Sequence, residues 1–217
     1  MRADLLIGGT LGGWALERAA PATVARVVTD DEQLAARAAE RGLPVALDHD
    51  YEPATRGLSV HYQRIVPARL IDRYDGLWNL HPGLLPWGRG MFPVFWALWE
   101  DTPAGASLHE LVEALDAGPV VAQERVEARA DDTGGSLHAR VQAAEKRLFD
   151  AYWPRVVAGD QLPATPQAGT GSSHTRAEFL ALKREGWREL DRERRARLER
   201  CLRFPGYSGL EVQPSRT

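Results

Sequence analysis

The sequence predicts an α/β fold with a mostly parallel, doubly wound sheet, because strand-like and helix-like segments alternate through its first half. Residues 5–7 (LLI) are a short apolar run that ends at glycines, as a buried strand does. Residues 24–28 form a second run of this kind and residues 58–60 a third. The segments between these runs have helical patterns, so we expect the strands to pair in parallel.

Local start and stop signals predict two of the connecting helices. Thr29 and Glu32 have the spacing of a capping box, in which Thr29 caps the helix and Glu32 reaches back. This Ala-rich helix is predicted to run to Arg41 and to end at Gly42. A second helix is predicted to start at Pro67, because proline suits the first turn of a helix.

A glycine-rich turn, residues 8–13 (GGTLGG), follows the first strand. Counted from Gly8, the third glycine of the dinucleotide-binding pattern falls on Gly13, but Thr10 stands in place of the second. We therefore favour a tight strand-to-helix turn with close packing, and a phosphate site is the alternative.

The pattern changes beyond residue 135. Residues 136–153 have apolar side chains three and four apart, which predicts a helix, and residues 158–173 have the composition of a linker. Residues 176–203 predict one highly charged helix, most of whose charges we interpret as a solvated face with ion pairs. We expect a core domain over 1–155 and a linker with a small C-terminal helical segment over 156–217.

Composition and charge exclude several classes of protein. A chain of 217 residues with 44% hydrophobic and 26% charged residues can bury a core without disulfides. Its net charge of −3 lacks the basic excess of a dedicated nucleic-acid binder. The single cysteine, Cys201, predicts a buried or half-buried structural thiol. No signal peptide and no membrane-spanning apolar segment is recognisable, so we expect a cytoplasmic protein.

The residue types best suited to catalysis lie in residues 77–90 (LWNLHPGLLPWGRG). Apolar and polar residues alternate at the start of this segment, which predicts a strand with Asn79 and His81 on one face. An amide donor stabilises an oxyanion and an imidazole moves a proton near neutral pH, so this pair suits acyl transfer. Asp116, in the turn at residues 115–119 (LDAGP), is placed to orient the imidazole or to relay through water. Each residue alone also has an ordinary structural interpretation, so the combination carries the prediction.

The sequence NLHPGLLPWGRG from Asn79 to Gly90, with LDAGP at 115–119, resembles the folate-dependent formyltransferase family. That family's signature is Asn-x-His-Pro-x-Leu-Leu-Pro, followed downstream by Asp-x-Gly. The resemblance covers residues 57–155 well and residues 1–56 in outline. It implies a Rossmann-like catalytic domain over 1–155, no metal, and transfer of a formyl group from 10-formyltetrahydrofolate to a primary amine.

The resemblance also implies roles for individual residues. Asn79 would bind the formyl oxygen, His81 would assist deprotonation of the attacking amine, and Asp116 would position His81 and water. Residues 62–67 (YQRIVP) resemble the family's loop around the folate. The implied cosubstrate-binding residues are Gln63, Arg64, Ile65, Val66, Leu111, Val112, Glu113 and Ala114.

Three further segments resemble the nucleotide-sugar N-formyltransferases: GRGMFPVFWA at 88–97, GSSHTRAEF at 171–179 and RFPGY at 203–207. They imply that the acceptor is a nucleotide-linked amino-deoxy sugar with dTDP as its nucleotide. They also imply that the C-terminal segment, residues 156–217, forms part of the binding site for this acceptor. The implied substrate-binding residues are Arg89, Phe92, Phe204 and Tyr207.

Other interpretations of the sequence stay open. One is an N-formyltransferase for another small amine, such as a natural product or a glycinamide-ribonucleotide-like compound. A second is a folate or nucleotide-sugar binding protein without catalysis, and a third is an interaction protein that touches nucleic acid through its Arg-rich helix. We expect neither nucleic acid nor membrane as a partner, and the sequence leaves open whether the chain forms a homodimer.

Overall fold

The computed structural model describes residues 1–184 and 188–204. The strands of its main sheet are β1 (Ala3–Ile7), β2 (Val24–Val28), β3 (Val45–Ala46), β4 (Arg56–Val60), β5 (Gly76–His81), β7 (Ala104–Glu110) and β8 (Val120–Val126). Two short strands, β6 (Arg89–Gly90) and β9 (Ser173–His174), pair with each other outside that sheet. The main sheet has the order β3-β2-β1-β4-β5-β7-β8.

Helices cover both faces of the sheet, so the predicted α/β class is confirmed. They are α1 (Gly9–Arg18), α2 (Glu32–Glu40), α3 (Ala68–Ile71), α4 (Pro93–Glu100), α5 (Gly134–Ala158), α6 (Arg176–Arg184) and α7 (Arg192–Leu202), with a 3-10 turn at Pro21–Thr23. The strands from β3 to β5 in the sheet order pair in parallel, whereas β7 pairs antiparallel with both β5 and β8. The sheet is therefore mostly parallel, as predicted.

The buried character of the sheet follows from its coverage on both faces. All residues of β1 are buried, Asp4 included, which explains why its residues 5–7 are a continuous apolar run rather than an alternating one. One face packs against α1 and α5 through side chains that include Leu16, Leu148 and Phe149. The other face holds a smaller cluster that includes Leu70, next to the predicted folate loop.

The glycine turn at residues 8–13 packs closely, which supports the interpretation we favoured for it. A Cβ on Gly12 would lie 2.9 Å from the Cβ of Ile7, so glycine lets α1 lie directly on β1. A Cβ on Gly8 would lie 2.3 Å from the carbonyl oxygen of His61, at the end of the neighbouring β4.

Two local predictions are wrong. The cap of α2 is Asp31, whose carboxylate accepts the N–H groups of Gln33 and Leu34, while the Thr29 hydroxyl accepts the N–H of Asp31. The charged segment at 176–203 forms α6 and α7 instead of one helix, because the Asp191 carboxylate accepts an N–H in the first turn of α7 and starts a new helix there.

Helix α5 connects the core to the C-terminal part of the chain. It extends past the predicted end at residue 153 to Ala158, and Gly159 then ends it in the left-handed region with a φ of 85°. It thus passes through residue 155, the predicted domain boundary. The division into two parts stays a prediction.

The C-terminal helices pack on α4 and α5 through a second hydrophobic cluster. Its fully buried members include Phe95, Leu137, Phe179 and Cys201. The prediction of a buried thiol is confirmed, and burial raises the pKa of Cys201 to about 11. None of the described helices combines the length and apolar character needed to cross a membrane.

Candidate active site

The candidate site lies at the end of β5, where that strand meets the antiparallel strand β7. In the register of the pair, Asn79 stands opposite His109 and His81 opposite Ser107. Residues two apart on a strand share a face, and so do directly opposed residues on neighbouring strands. Four polar side chains therefore meet on one face of the sheet, and the predicted pairing of Asn79 with His81 is confirmed as geometry.

The hydrogen bonds of His81 fix its tautomer. Its Nε2 lies 2.8 Å from the carbonyl oxygen of Gly88, which only accepts, so Nε2 donates. In the neutral ring Nδ1 then carries the lone pair, and this atom faces Asp116 at 3.7 Å from Oδ1. Burial lowers the pKa of His81 against the opposing effect of Asp116. The ring is therefore neutral at pH 7, with a basic nitrogen next to a carboxylate.

The same argument fixes the tautomer of His109. Its Nδ1 lies 2.8 Å from the carbonyl oxygen of Glu110 and therefore donates to it. Its Nε2 accepts from the amide nitrogen of Asn79 at 3.2 Å. This bond uses one of the two amide N–H groups of Asn79 and orients the other for a ligand.

Asp116 is held as a carboxylate beside both imidazoles. Its Oδ2 accepts the N–H of Gly90 at 2.8 Å, and its Oδ1 lies 3.6 Å from Nε2 of His109. Burial opposes ionisation, but attraction to the protonated form of the His81 ring, hydrogen bonding from the His109 ring and the Gly90 N–H outweigh burial and hold the pKa of Asp116 at about 2. The backbone of Asp116 is left-handed, with a φ of 50°, which turns the side chain toward β5.

Buried polar side chains hold the loop that follows His81. The Ser107 hydroxyl donates to the carbonyl oxygen of Gly83 at 2.6 Å and accepts the N–H of Leu85 at 3.0 Å. The Gln123 amide donates to this hydroxyl and to the carbonyl oxygen of Leu85. Gly83 packs against the imidazole, because a Cβ there would lie 2.7 Å from Nε2 of His81.

The two segments predicted to bind the cosubstrate lie beside each other and next to this site. Val66 is buried in the cluster below the loop, and Leu111 packs partly buried against the same cluster. The N–H of Leu111 donates to the carbonyl oxygen of Leu77 on β5. Ile65 and Val112 are 81% and 37% exposed, so both segments present apolar side chains to solvent.

The remaining predicted cosubstrate-binding residues lie on the surface of these segments. Gln63, Arg64 and Glu113 are exposed, as is Ala114. The Gln63 amide donates to the carbonyl oxygen of His61, and Arg64 donates to that of Leu47.

The residues predicted to bind the acceptor are more dispersed. Arg89 donates from Nε and Nη2 to the side-chain oxygen of Gln167, at 3.0 and 2.6 Å. Phe92 packs on Phe179, with ring centroids 4.3 Å apart, and Phe204 packs on His138 at 4.2 Å. Both rings thus lie in the packing of the C-terminal helices. Tyr207 lies outside the described residues.

Sequence reasoning missed four polar residues at this site, Ser107, His109, Gln123 and Gln167. His109 alternates with Ser107 along β7, and this alternation was the available signal. Gln167 lies in an irregular segment, where no periodicity marks it. Within the part of the chain that the structure describes, no group of three or more His, Cys, Asp or Glu side chains is arranged to hold a metal ion.

Comparison with protein families and with sequences identifies formyltransferases as similar to this chain. The family model described as formyl transferase matches residues 14–152. A dTDP-4-amino-4,6-dideoxyglucose formyltransferase from Mycobacterium tuberculosis is 32% identical over 127 residues, which are 58% of this chain and 53% of the relative. The chain therefore spans about half the length of the curated relatives that it matches.

Comparison with solved structures shows the same fold. A 4-N formyltransferase from Francisella tularensis superposes with a TM-score of 0.80 at 19% identity, over 95% of this chain and 90% of that chain. An N-formyltransferase from Helicobacter canadensis, in complex with folinic acid and dTDP-3-aminofucose, superposes with a TM-score of 0.70 at 19% identity, over 82% of this chain and 72% of that chain.

Proposed function

The chain belongs to the formyl transferase family, and we propose that it transfers a formyl group from 10-formyltetrahydrofolate to the amine of a nucleotide-linked amino-deoxy sugar. The observation that carries this proposal is the convergence of Asn79, His81 and Asp116 at the end of β5. Their protonation states suit acyl transfer to an amine, since a neutral imidazole stands beside an ionised carboxylate and an amide donor.

Each of these three side chains has a distinct task in the proposed reaction. The free amide N–H of Asn79 donates to the formyl oxygen and stabilises the negative charge that develops there. Nδ1 of His81 takes the proton of the attacking amine, and the carboxylate of Asp116 stabilises the resulting imidazolium. The bond between the formyl carbon and N10 of the folate then breaks, the imidazolium returns the proton to N10, and tetrahydrofolate leaves. The site thus needs no covalent enzyme intermediate, and orientation supplies much of the catalysis.

The two segments beside the site fit the proposed cosubstrate. Residues 63–66 and 111–114 expose the apolar side chains Ile65 and Val112 together with backbone groups, which suits one flat heterocycle. A pterin needs such apolar contact with a few fixed polar groups. The Helicobacter canadensis relative has folinic acid in its structure, which supports a folate as the donor.

The acceptor is proposed to be a dTDP-linked amino sugar. The sequence relative from Mycobacterium tuberculosis is named for such a substrate, and the Helicobacter canadensis relative is in complex with another. On this side of the site we propose contacts from Arg89, Phe92, Phe204 and Tyr207. An aromatic ring can stack on a base, and arginine can hold a pyrophosphate.

A transfer assay tests the proposal directly. The chain is incubated with 10-formyltetrahydrofolate and either dTDP-4-amino-4,6-dideoxyglucose, dTDP-3-aminofucose or glycinamide ribonucleotide, and products are identified by mass spectrometry. We expect N-formylated product from a dTDP-linked sugar. Transfer to glycinamide ribonucleotide alone would contradict the acceptor class, and binding of both ligands without transfer would identify a non-catalytic binder.

Two variants show whether the proposed residues perform the chemistry. Asn79→Ala should lower kcat about 10²- to 10³-fold, the usual effect of removing an oxyanion donor. His81→Gln should lower it about 10²- to 10⁴-fold, because it removes the general base. Gln161→Met is the control, since Gln161 is exposed and is not among the residues assigned to catalysis or to either substrate. Unchanged kcat in both site variants would contradict the assigned roles.

A further inference from the structure

The segment from residue 161 to residue 175 contacts both loops of the candidate site. Thr165 exchanges two backbone hydrogen bonds with Val120, at 2.8 Å each. The N–H of Ser172 donates to the carbonyl oxygen of Pro86, and its own carbonyl oxygen accepts the N–H of Arg89. The predicted linker therefore lies along the loop that follows His81 and along the loop that contains Asp116.

Between these contacts the Gln167 amide uses its whole hydrogen-bonding capacity on the two loops. Its Nε2 donates to the carbonyl oxygens of Asp116 and Gly118, at 2.8 Å each. Its Oε1 accepts both bonds from the Arg89 guanidinium. A primary amide has two N–H donors and one oxygen with two lone pairs, so all four positions are filled.

These bonds close a ring around Asp116. The carboxylate of Asp116 accepts the N–H of Gly90, the residue after Arg89. The side chain of Arg89 binds Gln167, and Gln167 binds the carbonyl oxygen of Asp116. Asp116 is therefore held through its side chain by one loop and through its backbone by the linker segment.

Asp116 needs this support for two reasons. Its left-handed backbone is less favourable for aspartate than for glycine, and the four preceding residues, 112–115, are exposed. Its Oδ1 also lies 3.7 Å from His81 and 3.6 Å from His109, so it acts on both rings as a nearby charge. An outward movement of the turn would weaken that effect directly.

We propose that Gln167 is a positioning residue, which acts with Arg89 to hold the Asp116 carboxylate beside the imidazole of His81. The proposal rests on the proposed function, because it assigns Gln167 to the same reaction. Gln167 need not touch either substrate. Gln167 is expected to have two effects: the first on the rate of formyl transfer and the second on the pKa of His81.

Kinetics of Gln167→Met test the first effect. Methionine keeps the length of the side chain and removes both the donors and the acceptor. We expect kcat to fall about 10- to 100-fold, as misplaced catalytic groups do, with the KM for the acceptor changed less than kcat. Gln161→Met is the matched control, because Gln161 is exposed in the same segment, and it should match the wild type. Thermal unfolding shows whether both variants are folded.

Titration by NMR tests the second effect without any substrate. The imidazole signals of wild type and Gln167→Met are followed against pH, with His81 assigned from His81→Gln. The nearby carboxylate raises the pKa of His81 against burial, so its withdrawal should lower that pKa further.

The two readouts separate the proposal from the function on which it rests. A wild-type chain that transfers no formyl group would contradict the proposed function, and the titration alone would then decide the role of Gln167. A pKa of His81 equal in wild type and Gln167→Met would overturn the positioning role, even if kcat fell. A KM for the acceptor that rises while kcat stays constant would also overturn it, by showing that Gln167 binds substrate.

Discussion

The proton that each imidazole carries decides what the residues of this site can do. Backbone carbonyl oxygens at Gly88 and Glu110 each accept one ring N–H, so His81 presents Nδ1 and His109 presents Nε2 as acceptors. His109 uses its acceptor to orient Asn79, whereas Nδ1 of His81 faces the carboxylate of Asp116. The two histidines are thus divided into a positioning group and a base by their backbone partners.

The pH dependence of the reaction should follow His81. Its pKa is lowered from about 6.5 by burial, so kcat/KM should rise with pH below this value and be level at pH 7. In Asp116→Asn the charge that opposes this lowering is lost. In the pH–rate profile of this variant, the acid limb of kcat/KM should therefore move to lower pH, and the plateau value of kcat/KM should fall. An acid limb that moves to higher pH would show that another group is the base.

At the scale of secondary-structure elements, the site depends on how β5 meets β7. The predictions of β1, β2, β4 and β5 succeeded because a buried or alternating strand leaves its pattern in its own sequence. The same local pattern placed Asn79 and His81 on one face. The role of His109 depends on the antiparallel register between two strands, which no local pattern contains, and that of Gln167 depends on a contact between distant loops.

The end of β4 is joined to α5 by a buried ion pair that is important for stability. Nε2 of His61 lies 2.8 Å from Oε1 of Glu145, whose side chain is fully buried. Burial disfavours the charged ring, but the carboxylate outweighs it and raises the pKa of His61. His138, also on α5, and His81 are the other titratable groups that interact with this pair. The backbone of His61 is left-handed, with a φ of 54°.

His61→Asn should lower the free energy of unfolding by about 3 kcal/mol near pH 6, because it leaves a buried carboxylate without its partner. Asparagine tolerates the left-handed backbone, so the variant adds no backbone strain to the loss of the imidazole. Because the pKa of His61 is higher in the folded state, protonated His61 contributes its full stabilisation below the pKa of the unfolded state, about 6.5. That contribution is lost as the pH rises through the pKa of the folded state. The deficit should therefore shrink toward pH 9 in urea unfolding measurements.

The control for this prediction is His49→Asn. Burial lowers the pKa of His49, so its contribution to stability has the opposite pH dependence and is lost as the pH falls. A deficit in His61→Asn that stays constant from pH 6 to pH 9 would show that the pair is not ionic.

At the scale of the whole molecule, α5 is common to the two main hydrophobic clusters. Its first turns contribute Leu137 and Val141 to the cluster under the C-terminal helices, and its later turns contribute Phe149 and Trp153 to the cluster under the sheet. Composition alone distinguished the C-terminal segment from the core, because its charged and loop-forming residues differ from those before it. Composition does not predict that both parts pack on α5, because this packing is made by side chains that are far apart in the sequence.

Because α5 is shared, we expect the C-terminal helices and the core to unfold together. Cys201 is the only cysteine and is fully buried, so its reaction with a thiol reagent reports opening of the C-terminal helices. Phe179→Ala removes a fully buried ring in the same cluster and should cost about 3–5 kcal/mol. Hydrogen exchange of the backbone amides of β1, whose side chains lie in the core cluster, should show the same loss of protection as the labelling rate of Cys201. Leu182→Ala, at a partly buried position of the cluster, should give a smaller but equally shared loss. A loss seen only in the labelling of Cys201 would mean that these helices open while the sheet stays folded.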